Sequence, residues 1–247
     1  MLDIALQRRT TVADIEALNP GIQANLLQIG QQIVLPSPAT AVAQSVAGTA
    51  VPLQVQVANL NHVTAPTGAV WLLGEVVNNG DLPVGNVRLS LHLSGQTGEQ
   101  VADAWSAAIV IPAGKAAPFG VLLSDVASLT GEPFVVVAGG ESLVDLGSQV
   151  LDVVVADGVG ETAVTFAEDR VQVNGSIVNE SDVPVTNVIV IGTFYGAEGQ
   201  VVGYYQAGGD GVLLPGEKRP FSFTAVPPGG TAVRASWLVT AQQANQE

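Results

Sequence analysis

GEVVNNGDLPVGNV, residues 74–87, recurs as GSIVNESDVPVTNV at residues 175–188, and this internal repeat decides the fold. A recurrence of this length indicates one structural unit present twice. The match continues on both sides, with a small slip downstream. The further matched segments are 53–58 with 151–156, Ile111-Pro112 with Leu214-Pro215, Lys115 with Lys218, and Pro118-Phe119 with Pro220-Phe221. The chain is therefore predicted to contain two copies of one domain.

Apolar and polar residues alternate within each copy. In the first copy four apolar residues share one face: Val87, Leu89, Leu91 and Leu93. Alternation is the period of a half-buried strand, so these side chains are predicted to face a core and their neighbours to face solvent. In the second copy Val188, Val190 and Phe194 keep the pattern, and Gly192 leaves a gap that a neighbouring side chain must fill.

Turn-forming residues separate the apolar runs of both copies. Asn79-Gly80 predicts a tight turn because both residues tolerate positive φ, and NESD at 179–182 occupies the same place in the second copy. Short Val-rich runs broken by turns about every ten residues are typical of antiparallel sandwiches. We predict a mainly β protein with sandwich domains at residues 53–148 and 149–243.

The first 52 residues differ in character from the rest. Residues 1–36 have the apolar spacing of helices, whereas residues 37–52 are rich in Ala, Ser, Thr and Pro and have no period. A segment of the second kind is typical of a linker. A small module at 1–36 is therefore predicted ahead of the sandwiches.

Composition and charge restrict the function. The 247 residues are 47% hydrophobic and 12% charged, which is the balance of a folded protein. The formal net charge of −14 repels phosphate backbones and anionic headgroups, so no nucleic-acid partner is expected. The acidity favours solubility over dedicated cation binding. The chain has no Cys, which excludes disulfides, and no apolar run long enough to span a bilayer.

The repeated pattern resembles the FxLYD and related immunoglobulin-like domains of bacterial exported proteins. TFYGAEG at 193–199 stands where that family has its aromatic strand and turn, whereas the first copy departs from the pattern with LHLSG at 91–95. The resemblance implies two tandem antiparallel immunoglobulin-like β-sandwiches. Such domains serve as spacers, adhesion surfaces or protein-binding modules without a shared reaction.

The N-terminal segment carries a second resemblance. LDIAL at 2–6, TTVADIEALNPGI at 10–22 and IGQQIVLP at 29–36 look like most of a LysM domain. The local pattern agrees, because Thr11 can cap a helix that ends at Asn-Pro-Gly. LysM domains have a strand–helix–helix–strand fold and bind N-acetylglucosamine-containing glycans such as peptidoglycan or chitin, so the resemblance implies a small α+β module with that ligand.

The LysM resemblance also implies particular glycan-binding residues. The matching positions are Asn19, Pro20, Gly21, Ile22, Asn25 and Leu26. The Asn-Pro-Gly run has a second interpretation, as a helix stop. The first strand of the family and its Gly-Asp-Thr-like loop have no counterpart, so the module is incomplete. We expect Met1 to be an internal start or a truncated gene call, with an export signal upstream in the parent protein.

No pattern of residues predicts catalysis, a cofactor or a metal site. A Gly-x-Ser-x-Gly elbow is absent, and carboxylate pairs such as Glu168-Asp169 fit no calcium-loop spacing. His62 and His92 have no second ligand at a metal spacing, so surface roles are favoured. The tryptophans have two possible roles, stacking on sugar rings or packing within the sandwiches, and packing is favoured. The three tryptophans are Trp71, Trp105 and Trp237.

These expectations combine into a non-catalytic, extracytoplasmic protein of the cell wall, cell surface or periplasm. Its LysM module would hold peptidoglycan or a related glycan, and its sandwiches would act as spacers or protein-binding arms. The alternative is a structural or adhesive surface protein whose sandwiches bind protein partners or self-assemble through strand edges. A third interpretation, accessory domains of a hydrolase, requires a catalytic segment upstream.

Overall fold

The computed structural model describes residues 53–65, 67–95, 98–124, 129–156, 161–209 and 211–244. The chain divides into two units, Met1–Val51 and Pro52–Glu247, and all the described residues lie in the larger one. The module predicted at 1–36 and the linker predicted at 37–52 lie outside the described residues. The described residues contain strands and no helix, so this part of the chain is mainly β, as predicted.

Seven strands come from the first half of the larger unit and eight from the second. The first seven are β1 (Val55–Thr64), β2 (Val70–Asn78), β3 (Val84–Gly95), β4 (Gly98–Trp105), β5 (Val110–Ile111), β6 (Ala116–Leu123) and β7 (Phe134–Ser142). The others are β8 (Gln149–Val150), β9 (Val153–Val155), β10 (Ala163–Phe166), β11 (Val171–Asn179), β12 (Val185–Tyr195), β13 (Val201–Gly209), β14 (Lys218–Ala225) and β15 (Arg234–Gln243).

The strands form four sheets in which the pairings are antiparallel. The first half holds a first outer sheet, β4-β3-β5 with β7 also on β3, and a first inner sheet, β1-β2-β6. The second half holds a second inner sheet, β13-β12-β15-β8, and a second outer sheet, β10-β11-β14 with β9 also on β11.

Alternation along β3 and β12 builds the apolar cores of the two halves. Val87, Leu89, Leu91 and Leu93 are at most 1% exposed and pack against Leu72 and Phe119 of the first inner sheet. This confirms the inward face predicted for the first copy. In the second half, Val188 and Val190 share a core with Ile177, and Phe194 shares another with Val173. Burying such apolar side chains contributes about 1.5–3 kcal/mol each.

Gly192 confirms the predicted gap and shows what fills it. A Cβ at Gly192 would lie 2.6 Å from Cζ3 of Trp237 and 3.4 Å from Cζ of Phe223. Trp237 meets Phe223 edge to face, with ring centroids 6.3 Å apart. The missing side chain therefore makes room for an indole ring, which is the packing expected for this tryptophan.

The prediction that the other face of the strand meets solvent is wrong for β12. The remaining side chains of β12 include Ile191, 1% exposed, and Tyr195, 3% exposed. They point away from their own core and pack on the first half, where Ile191 joins the first core and Tyr195 contacts Leu73 of β2. The two inner sheets therefore pack face to face, and their strands β2 and β12 are largely buried on both faces.

The predicted Asn79-Gly80 tight turn is also wrong. Neither residue has positive φ. Among the described residues, the non-glycine residues in the left-handed region are Asn59, Asn86 and Asn187, at φ of 52°, 52° and 50°, and each lies where its strand shifts register. The connection after β2 is organised instead by the preceding Asn78, whose Oδ1 accepts a hydrogen bond from the amide of Gly80. A side chain that bonds to the backbone two residues on replaces the backbone turn.

Asn78 and Asn179 stand at equivalent places at the ends of β2 and β11, and both are 0% exposed. Each Nδ2 donates to two carbonyls, at 2.8 and 3.0 Å, and each Oδ1 accepts one backbone amide, at 3.0 or 3.1 Å. The partners are Leu82, Ile111 and Gly80 for Asn78, and Val183, Leu213 and Ser181 for Asn179. Leu213, rather than the predicted Leu214, is therefore the counterpart of Ile111.

Candidate functional site

A polar cluster lies where the two inner sheets meet. Glu75, on the outward face of β2, is 5% exposed. Its Oε1 accepts a hydrogen bond of 2.6 Å from Asn59 Nδ2, and its Oε2 accepts one of 2.6 Å from the hydroxyl of Tyr195. The same hydroxyl lies 3.0 Å from Ser236 Oγ. Hydrogen bonding of a buried carboxyl group is what makes its burial tolerable, so the cluster joins the halves at one fixed position.

Tyr195 is held from a second side by a cation. The guanidinium carbon of Arg234 lies 3.7 Å from the centre of the Tyr195 ring, a cation–π arrangement. Burial, and next the hydrogen bond to Glu75, raises the pKa of Tyr195 to about 12. Burial also raises the pKa of Tyr204. These side chains link the two halves, and we call the contact between the halves the joint.

The raised pKa of Tyr195 predicts an alkaline loss of stability. Its phenol keeps its proton more tightly when folded than in the unfolded chain, where the pKa is about 10. The stabilisation is therefore complete below pH about 10 and falls as the pH rises towards 12. Because the pKa of Tyr204 is also raised, tyrosinate absorbance is compared between Tyr204→Phe and the double variant Tyr195→Phe/Tyr204→Phe. The late step of the single variant should be missing from the double variant, and a late step of the same size in both would contradict the assignment to Tyr195.

Asn61 and Gln206 add further hydrogen bonds between the halves. Asn61 Nδ2 donates to the carbonyls of Val201 at 3.0 Å and Gly229 at 3.4 Å, and Gln206 Nε2 donates to the carbonyl of Ala107 at 2.8 Å. All three acceptors are backbone groups, so these contacts depend on how the backbones of the two halves lie. Together with Glu75, they spread polar contacts along the joint.

The outer face of the first outer sheet carries exposed rings. Trp105 of β4 is 37% exposed and Phe134 of β7 is 52% exposed, whereas Trp71 and Trp237 pack into apolar clusters. His92, between them on β3, stacks on Phe134 with ring centroids 4.5 Å apart. The predicted packing of tryptophans is thus confirmed for two of the three.

The remaining predicted polar residues form ordinary surface pairs. His92 Nδ1 lies 2.9 Å from Glu99, His62 lies 4.0 Å from Glu132, and Asp169 pairs with Arg170 at 2.9 Å. Across the described ranges, no three His, Asp or Glu side chains come together as metal ligands would. In the same ranges no helix has the length and apolar character that crossing a membrane requires.

The predicted glycan-binding residues, Asn19, Pro20, Gly21, Ile22, Asn25 and Leu26, lie outside the described residues. Residues 3–36, which contain all six, match the family model of the LysM domain. A LysM domain implies binding of peptidoglycan or another N-acetylglucosamine-containing glycan, and such domains usually occur in extracellular or cell-wall proteins. No curated protein matches the chain.

Solved structures show only distant likeness. Red sea bream transglutaminase is 14% identical at a TM-score of 0.22, and the match covers 78% of this chain and 32% of that one. Bacteroides uniformis β-glucuronidase 2 is 10% identical at a TM-score of 0.21, covering 64% and 22%. The chain thus spans about a third or less of these enzymes, and TM-scores this low carry no information about its fold or activity.

Proposed function

We propose that the chain is a non-catalytic, extracytoplasmic binding protein of the cell wall, in which residues 3–36 hold peptidoglycan or a related glycan. The observation that carries the proposal is the LysM match of this segment. Its proposed contact residues are the six at and just beyond the Asn-Pro-Gly run.

The β-rich unit serves in this proposal as a stiff arm made of two immunoglobulin-like copies of one domain. The matched hydrogen bonds of Asn78 and Asn179 support the duplication. Stiffness is supported by the face-to-face inner sheets and by Glu75, which is bonded from both halves. Such an arm holds its ends at a fixed separation.

Glycan binding is tested by sedimenting the full chain with insoluble peptidoglycan. Ile22→Ser combined with Asn25→Ala should weaken binding about tenfold, the equivalent of about 1.4 kcal/mol. Gln44→Ala, in the predicted linker, is the control and should bind as the parent does. Equal binding by the double variant, or none by the parent, would refute the proposal.

The alternative function is self-association or adhesion through the β unit. The packing of the two inner sheets supports it, because it shows that sheets of this fold cover one another face to face. Sedimentation velocity over a range of concentrations is the test. Reversible dimers or larger species favour the alternative, and a monomer at every concentration argues against it.

A further inference from the structure

The two halves meet head to tail rather than through equivalent faces. Under the offset of the repeat, β12 of the second inner sheet corresponds to β3 of the first outer sheet. The face of β12 that the first half covers therefore has an exposed counterpart, the outer face of β3 with β4 and β7. We call this surface the ring face, after Trp105 and Phe134.

The central strand of the ring face differs in chemistry from its covered counterpart. Ile189 and Ile191 of β12 pack under the first half, whereas the matching residues of β3 are Arg88 and Ser90. A dry contact with another sheet needs apolar residues at its centre, because burying unpaired polar groups costs stability. The ring face is thus unsuited to the occupant that covers β12, and suited to a ligand rich in hydroxyl groups.

The flanks of the ring face supply flat apolar surfaces. Trp105 pairs with Arg88 across one edge of β3, and Phe134 pairs with His92 across the other. Four residues along β3 and two strand spacings separate the rings by roughly 16 Å between Cα atoms. That distance accommodates several linked sugar rings, whose apolar faces stack on aromatic side chains while their hydroxyls bond to the polar centre.

Charge selects among such ligands. Arg88 and His92 stand beside Asp103 and Glu99 on this face, so it carries no excess of positive charge to attract an anion. The whole chain repels anions through its net charge of −14. A neutral chain of sugars matches both the rings and this balance.

We propose that the ring face is a second glycan site, which binds a neutral glycan chain by stacking on Trp105 and Phe134. The identity of the sugar, N-acetylglucosamine, rests on the proposed function of residues 3–36, whereas the location rests on the sheet alone. Two glycan sites on one chain raise its overall avidity when a single polymer engages both.

The test is NMR of the full chain with ¹⁵N-labelled tryptophan, titrated with N-acetylglucosamine hexamer. The chain has three tryptophans, and a Trp→Phe variant of each assigns its indole signal. The Trp105 signal should shift saturably while those of Trp71 and Trp237 stay in place. Phe134→Ala should weaken this binding about fivefold. Phe166→Ala is the control, because Phe166 is a 37% exposed phenylalanine on the second outer sheet. This substitution should leave the binding unchanged.

The outcomes separate the two proposals. A Trp105 shift that survives Ile22→Ser/Asn25→Ala supports the ring face, even if peptidoglycan sedimentation fails for residues 3–36. No Trp105 shift at millimolar hexamer overturns the ring face, whatever residues 3–36 bind. A Trp105 shift that follows protein concentration without sugar also overturns it, because the occupant is then a second copy of this chain.

Discussion

Asn179→Ala is expected to lower the free energy of unfolding by about 3–5 kcal/mol. The side chain is 0% exposed and satisfies three backbone groups, the carbonyls of Val183 and Leu213 and the amide of Ser181. Ala leaves all three without this partner, and each buried group left unpaired costs about 1–3 kcal/mol. The loop after β11 then loses the contact that fixes it against Leu213.

Urea denaturation of the full chain measures this effect. Asn78→Ala should cost a similar amount, because Asn78 makes the same three bonds to backbone groups, whereas Asn179 accepts one more from the Ser181 hydroxyl at 2.6 Å. Glu180→Ala is the control, since Glu180 is exposed and adjacent in the same loop. A loss below about 1 kcal/mol in both Asn variants would show that water replaces the amide without penalty.

The repeat in the sequence predicted most of the strand pattern but not the role of its asparagines. Asn78 and Asn179 are identical in the two copies, which marks a shared requirement. Composition alone assigns Asn to exposed turns, so a buried position was not foreseen. The preference for turns was correct for the segment, but it placed the turn one residue late, at Asn79-Gly80.

The joint between the halves could not be predicted from the residues that the two copies share. Glu75 is replaced by Ser176 at the matching position, and Tyr195 by Ser94. Those differences were the available signal, because residues that meet the other half have no reason to agree between copies. The alternating pattern also gave a wrong expectation of a solvent-facing side for β12, because a strand that is buried on both faces is apolar on both.

The candidate glycan-binding residues were predicted from the LysM resemblance alone, whereas the ring face could be found only in the structure. The sequence places Trp105 and Phe134 nearly thirty positions apart, and only the pairing of β4 and β7 with β3 brings them to one face. Trp105 belongs to the same alternating pattern of polar and apolar residues as the rest of β4. Nothing in the sequence distinguished its exposed position from the packed positions of Trp71 and Trp237.

Gly229→Ala should lower the free energy of unfolding by about 3 kcal/mol, because no space exists for a methyl group. A Cβ at Gly229 would lie 2.7 Å from the carbonyl oxygen of Val202 and 2.8 Å from Cδ1 of Leu73. The first is strand backbone, and the Gly229 amide is bonded to that same oxygen at 2.7 Å. The loop must therefore move away from β13, and its contact with Leu73 of the other half is lost.

Gly208→Ala is the matched control, because Gly208 also lies in an ordinary backbone conformation and a Cβ there meets nothing within 4 Å. It should change stability by less than about 1 kcal/mol, and in the direction of a gain, since Ala restricts the unfolded chain. Thermal unfolding of both variants measures the difference. If Gly229→Ala melts with the parent, then Leu73 and the loop are not tightly packed, and the joint between the inner sheets depends on Glu75 and Tyr195 instead.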